Sequence, residues 1–175
     1  DERGYDIALK TDGGITENGY SEANERKLHF RFNDFLLKMR DNLVPVRSDG
    51  SGMPHYETDR DAVYMPRQRE FKHYHDYVHE TLRQIVSATG HQQRLAREGM
   101  VMKNGMPPSE DALKQERLVV EIASGSKMLE FGLPARLTED SMKHVEDWKR
   151  ELKENPILIG ALKSAVDQAP QVINT

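Results

Sequence analysis

Two histidines stand four residues apart in HDYVHE, at His75 and His79. On a helix, side chains at i and i+4 leave the same face, so both imidazoles could reach one zinc ion. Asp76 and Glu80 add carboxylates, and His73 adds a third imidazole. The pair alone is a weak signal, because HxxxH arises easily by chance in a chain with 7 His. The competing account is a wet helix face of polar and aromatic residues. His79-Glu80 also opens the stretch HETLRQIVSATGHQQRLAR, residues 79–97. No second His stands where HExxH needs one, so the front of that stretch is not the zinc-protease motif.

A second set is acidic. Glu116, Glu121 and Glu130 lie in QERLVVEIASGSKMLE, and Glu121 has Val119, Val120, Ile122 and Ala123 around it. A carboxylate among such neighbours is costly to bury unless a metal or an arginine pairs with it. The alternative places Glu121 on the exposed stripe of an amphipathic helix, and periodicity does not separate the two.

Other chemistries find no support. There is no GxSxG elbow for a serine nucleophile, and no phosphate loop or GxGxxG. Phe30, Phe32 and Phe35 have helical spacing and read as packing residues, not base-stacking platforms. The chain has no cysteine, which excludes disulfides, zinc ribbons and iron–sulfur clusters. A net charge of −4 lacks the basic excess of a stand-alone nucleic-acid binder. No apolar run approaches the roughly 20 residues of a membrane helix, and no signal peptide is evident. The expectation is a soluble, cytoplasmic domain. The 175 residues suit one compact domain or one domain plus a tail, and opening on DERGYD suggests a piece of a longer chain.

The elements that would position these groups follow from pattern. Residues 1 to 19 read as a polar linker or arm, and residues 20 to 175 as one domain. A helix is expected from Ser21 to about Leu43, with Leu28, Phe32, Phe35, Leu36 and Met39 on one face. Arg26, Lys27, Arg31, Lys38 and Arg40 form its solvated side. VPVRSDGSGMP (44–54) reads as turn, and HYETDRDAVYMP (55–66) as a hairpin about its DRD turn. A long helix is expected from near Gln68 to Ala88, capped by Gly90, with a short helix at Arg94-Leu95. Ser109-Glu110-Asp111 starts another helix that runs to Phe131 before Gly132. Thr138 begins one that carries Trp148. Asn155-Pro156 begins the last, which Pro170 stops. The class is α+β, mainly helical, with five or six helices and two or three strands.

Taken in order, DRDAVYMP, then TGHQQRLAR, then QERLVVEI, then Trp148 and Asn155-Pro156 resemble one known family. It is the zincin-like metallopeptidase domain of ArdC-type antirestriction proteins and related plasmid primases. The resemblance covers about residues 53–170 and implies a zincin-like fold. The family shows a D-x-I-x-MP strand and an HE(L/I)xHWTGHxxRLxR helix, followed by an E-(E)-L-V-A-E-(I/L) helix. Anchored on TGHxxRL, the HExxH of that pattern falls on Arg83-Gln84-Ile85-Val86-Ser87. The resemblance thus puts Arg83 at the first zinc ligand, Gln84 at the catalytic Glu and Ser87 at the second ligand. Only Glu121, at the implied third ligand, keeps its type.

Zinc catalysis needs imidazole and carboxylate ligands with one position open to water, and a base beside that water. Arginine cannot ligate, and Gln and Ser supply neither base nor good ligand. The implied function is a pseudo-metallopeptidase of a bacterial mobile element, such as a plasmid or conjugative transposon. It would be linked to antirestriction or conjugative DNA processing and act as a binding module. No cofactor is expected, and Arg83 is expected to pair directly with Glu121. The family's contact with single-stranded DNA is attributed mainly to a separate N-terminal domain, and no protein partner is named by the sequence. Two other functions compete. One is a metal-dependent hydrolase with zinc on His75, His79 and Glu121. The other is a nucleic-acid-binding module using Arg67, Arg69, Lys72, Arg94 and Arg97.

Overall fold

A computed structural model describes residues 22–48, 52–154 and 156–174. The arm expected over residues 1 to 19 lies outside them. The chain divides into two compact units, residues 1–38 and 39–175.

In the first unit, helix α1 (Glu22–Asn42) begins and runs past the boundary. Leu28 and Phe32 are buried, Phe30 is exposed, and the rings of Phe32 and Phe35 stack at 5.7 Å. The i, i+4 spacing of the buried pair is what a one-sided helix requires.

The second unit carries three strands, β1 (Val46–Ser48), β2 (His55–Glu57) and β3 (Ala62–Met65). β3 is central, antiparallel to β2 and parallel to β1. The hairpin falls where alternation and the DRD turn place it, with Tyr56 opposite Val63. Strand β1 lies inside the segment expected to be turn alone. Three residues with no alternation carry too little signal, and only the partner strand makes them β.

A 3-10 turn (Gln68–Glu70) precedes helix α2 (Tyr74–Thr89). The single long helix expected from Gln68 is therefore broken. Glu70 Oε1 accepts from the Arg67 N–H at 3.1 Å and closes the turn on itself. Phe71 and His73 then adopt extended backbone, and the Phe71 ring packs edge-on against Tyr77 at 5.5 Å. Helix α2 is buried on most sides, with Val78, Leu82, Ile85 and Val86 fully enclosed.

Helix α2 ends at Gly90, whose φ is −80°, so left-handed backbone is not why glycine is needed. A Cβ there would lie 2.6 Å from Met100 Cγ and 2.8 Å from Arg97 Nη2. Glycine leaves room there for the Met100 and Arg97 side chains of the returning chain. That chain, residues 91–100, forms turns, not the short helix expected at Arg94-Leu95. The N–H groups of Leu95 and Arg97 bond back to Thr89 and Gly90 carbonyls, each at 3.1 Å.

Helix α3 (Glu110–Glu130) starts where Ser109 Oγ accepts from the Ala112 N–H at 3.2 Å. It ends before Gly132, whose φ of +78° is the left-handed stop. Thr138 caps a single turn, α4 (Glu139–Met142), and α5 (Val145–Glu154) follows as a separate helix carrying Trp148. The expected single helix is interrupted at His144, whose Nε2 meets Arg117 Nη1 at 3.0 Å. Helix α6 (Pro156–Ile173) runs through Pro170 instead of stopping there. Proline costs that helix one hydrogen bond. Burial of Ala169 and Ile173 and a 2.7 Å bond from buried Lys127 Nζ to Asn174 Oδ1 hold the last turn. Val119 and Leu162 join α3 and α6 in one apolar cluster, with Leu152 of α5 against it.

Candidate functional site

The chemistry-bearing residues collect where α2 crosses α3. Glu121 projects from α3, and its side chain has no exposed surface. Arg83, from α2, sets Nη1 against Glu121 Oε1, with its own side chain 16% exposed. Ser141 Oγ donates to the same Oε1 at 2.6 Å, and Thr138 Oγ1 donates to Ser141 Oγ at 2.9 Å. Glu80 Oε1 lies 3.6 Å from Arg83 Nε. The question left open about Glu121 is thereby answered: it is buried, and a guanidinium and an alcohol pair with it. Glu121 Oε2 is buried without a hydrogen-bond partner among the described residues.

One turn earlier on α2, His79 is buried, and its Nε2 also has no hydrogen-bond partner among the described residues. Burial, and then the nearby Arg83 cation, push its pKa down to about 4. Glu80 shifts upward, chiefly through burial. His75 turns elsewhere. Arg136 Nη1 donates to its Nε2 at 3.2 Å, which occupies that nitrogen's lone pair. Its ring stacks on His73 at 5.2 Å, and Asp76 Oδ1 lies 3.3 Å away. His75, His79 and Glu121 do not converge. Among the described residues no group of three or more His, Asp or Glu could hold a metal ion. The two His keep their i, i+4 spacing on α2, and the His75 Nε2 is engaged by Arg136.

The TGHQQRLAR stretch forms two clamps. Arg94 donates to both oxygens of Asp61 in the hairpin turn, at 2.5 and 3.0 Å, and its Nε bonds the Ala88 carbonyl at 2.8 Å. Tyr56 OH donates to Asp61 Oδ1 at 2.7 Å. The Arg94 guanidinium holds the Asp61 carboxyl below its usual range. Arg97 grips Glu116 of α3 through Nε and Nη2, both at 2.7 Å, and reaches Thr89 Oγ1 and the Val86 carbonyl as well. These bonds tie the end of α2 to the sheet on one side and to α3 on the other. Of the five cations read as a nucleic-acid set, Arg94 and Arg97 are engaged with carboxylates inside the protein. Arg67, Arg69 and Lys72 are exposed, and the first two flank Gln68 in a shallow depression.

Sequence reasoning missed Thr138, Ser141 and Asp61. Thr138-x-x-Ser141 is visible as a helix start, but nothing in it says that Ser141 reaches a residue on another helix. Asp61 was visible only as a turn residue.

A sheet edge, a buried helix running into TGH, and an acidic helix crossing it define a class. The chain belongs to the zincin-like metallopeptidase family, whose model (MPTase-PolyVal) matches residues 38–164. In fold it is similar to the antirestriction ArdC protein from R388 plasmid, seen in a Mn(II)-bound structure (TM-score 0.66) and a metal-free one (0.63). Identity is 20% in both comparisons, which cover 85% and 81% of this chain. The chain spans about half of the ArdC chains it matches, 51% and 48%. No curated protein matches the sequence. No helix among the described residues is long and apolar enough to cross a membrane.

The family implies a divalent metal, and the residues present do not fit one. Arg83, Gln84 and Ser87, on the last two turns of α2, supply no imidazole and no carboxylate. A dication beside Glu121 would have to displace a guanidinium already in contact with it.

Proposed function

We propose that this zincin-like domain has lost the peptidase reaction and serves as a binding module. Its setting is a bacterial mobile-element protein tied to antirestriction or conjugative DNA processing, working in the cytoplasm. The observation that carries the first part is Arg83 against Glu121. In the register set by Thr89-Gly90-His91 and Arg94-Leu95, Arg83 stands at the first metal ligand, Gln84 at the base and Ser87 at the second ligand. The guanidinium supplies one fixed positive charge where the family holds a dication, and it cannot activate water. An amide cannot take a proton from water near neutral pH, so no general base remains at that position. The antirestriction setting rests on the likeness to ArdC, and contact with single-stranded DNA is assigned to a separate domain.

The test is metal analysis of protein purified without a His tag, together with hydrolysis of a labelled casein substrate. The expected result is metal far below one equivalent and no cleavage above buffer. One equivalent of zinc or manganese retained through dialysis, with cleavage, would overturn the reading.

A further inference from the structure

Helices α3 and α5 face one another across a groove of about 550 Å3. Leu118, Ile122 and Leu129 form one wall, and Val145, Trp148 and Leu152 the other. With Gly125, the α3 wall steps by four, three and four residues along one helix face. That stripe is about 16 Å long at 1.5 Å per residue, or three turns. Gly125 adds no side chain at its centre, where a Cβ would meet Ala135 Cβ at 3.4 Å, an ordinary contact. Ile122 and Leu129 remain 46% and 62% exposed, and Leu137, at the groove's edge, 44%. Two facing stripes at helical spacing offer what one side of a third helix would bury.

The polar groups at the groove narrow the occupant further. Its lining includes three ionisable residues: Glu121, Arg136 and Lys149. Glu121 is balanced in charge by Arg83, yet its Oε2 is a buried acceptor without a donor among the described residues. Its side chain has no exposed surface, so it lies beneath the groove and selects no group on an occupant. Arg136 and Lys149 are cations with side chains 47% and 66% exposed. Lys149 pairs with exposed Glu146 at 2.7 Å, and Arg136 lies 4.0 Å from exposed Asp76, contacts that an incoming carboxylate can replace, while Arg136 Nη1 also bonds buried His75 Nε2 at 3.2 Å.

We infer that the groove between α3 and α5 receives an amphipathic helix of a partner protein, with a three-turn apolar face and carboxylates toward Arg136 and Lys149. This deepens the binding-module reading by giving the module its face and the chemistry of its partner.

The chain's one tryptophan, Trp148, lines the groove and reports occupancy directly. The probe is a Trp-free synthetic amphipathic helix of about four turns, with Leu at i, i+4, i+7 and i+11 and Glu flanks. A twin peptide carries Lys flanks. The Glu-flanked peptide should give a saturable change in Trp148 emission, and the Lys-flanked twin should bind at least about tenfold more weakly. Ile122→Glu and Leu129→Glu should each weaken binding about tenfold or more, as loss of a central apolar contact does. Leu113→Glu is an equally exposed change on α3 outside the groove, and it should retain binding. Arg136→Glu with Lys149→Glu should reverse the flank preference, with thermal melts confirming that all variants fold.

No saturable change up to about 1 mM peptide, the limit of weak association, would overturn the inference. So would binding indifferent to Ile122→Glu and to flank charge. A concentration-dependent dimer of the protein alone that Ile122→Glu abolishes would make a second copy the occupant and also overturn it. The same samples, checked for metal and for peptide cleavage, separate this inference from the reading beneath it. Binding with metal-dependent cleavage sinks the lost reaction and leaves the groove. No binding in metal-free, inactive protein sinks the groove alone.

Discussion

Ser141 Oγ donates to Glu121 Oε1 at 2.6 Å, tying the single turn α4 to the carboxylate that α3 buries. With Arg83 on the same oxygen, Glu121 sits between a cation from one helix and an alcohol from another. Three elements therefore meet at one buried charge, and their stability should be coupled.

Removing one partner of a buried pair costs about 3–5 kcal/mol, because the other charge is left uncompensated. Arg83→Met should lower the melting temperature by roughly 10 °C, taking about 2–4 °C per kcal/mol for a chain of this length. Glu121→Leu added to Arg83→Met should recover most of that loss, since both charges are then gone. Thermal melts of the two singles and the double close the cycle. A single Arg83→Met within about 1 °C of the parent, well under one kcal/mol by the same scale, would show that the pair is not formed in solution.

Arg97→Lys should also destabilise, although charge is kept. Arg97 makes four hydrogen bonds of 2.7 to 2.8 Å, two of them to Glu116. A lysine ammonium can satisfy part of that set but cannot span Glu116, Thr89 and the Val86 carbonyl as a planar fork does. A loss of about 2–3 kcal/mol is expected from one or two charge-assisted bonds left unmade. Urea unfolding would measure it. The groove at Trp148 contains neither residue, so its peptide binding should be unchanged in the folded variant.

Much of this was legible in the sequence. The hairpin, the helical stretch of α2 before Gly90 and the cap at Ser109 each depend on neighbours close in sequence, and local pattern states them directly, whereas the burial of α2 was not stated by it. The TGHxxRLxR anchor was legible as a register, but its job was not. Arg94 and Arg97 look like surface cations until Asp61 and Glu116, 33 and 19 residues away, come into contact with them. Strand β1, the break at Phe71 and the run of α6 through Pro170 were hidden for the same reason. In each, a distant contact outweighs a local signal: the β3 ladder, the Tyr77 ring, and burial of Ile173. Ser141 is the limiting case, since nothing near it in sequence names its partner.

His79 gives the fold a pH dependence. Its pKa is about 4 in the folded protein and about 6.5 in an unfolded chain. Between those values the unfolded state binds more protons, so stability rises with pH across that window. It is fully present above about pH 6.5 and is lost as pH falls toward 4. Glu80, shifted upward, acts in the opposite sense, because its folded form holds a proton more tightly. The comparison that isolates His79 is therefore parent against His79→Gln. The variant should show a flatter stability profile from about pH 6.5 down to 4, read by urea unfolding at each pH. Parallel profiles would mean that His79 titrates normally and that the pocket around it is wet.

The most direct test of the register is to rebuild the site. Arg83 and Ser87 are one helical turn apart on α2, so imidazoles at both positions would leave the same face. Arg83 already touches Glu121, which places that face toward the one acidic residue of the expected ligand set. Ser141 would then serve as the outer-shell donor that orients the carboxylate. Arg83→His, Gln84→Glu and Ser87→His combined should therefore bind Co(II) with the visible absorption of a four-coordinate site, which zinc displaces. The parent should show none of it, and Glu121→Gln in the rebuilt protein should weaken binding by about tenfold or more, as loss of a ligand does. If the folded triple variant binds no Co(II), the residues before Thr89 do not stand where a zincin keeps its metal. Arg83–Glu121 would then be an ordinary interhelical ion pair with no lost site behind it.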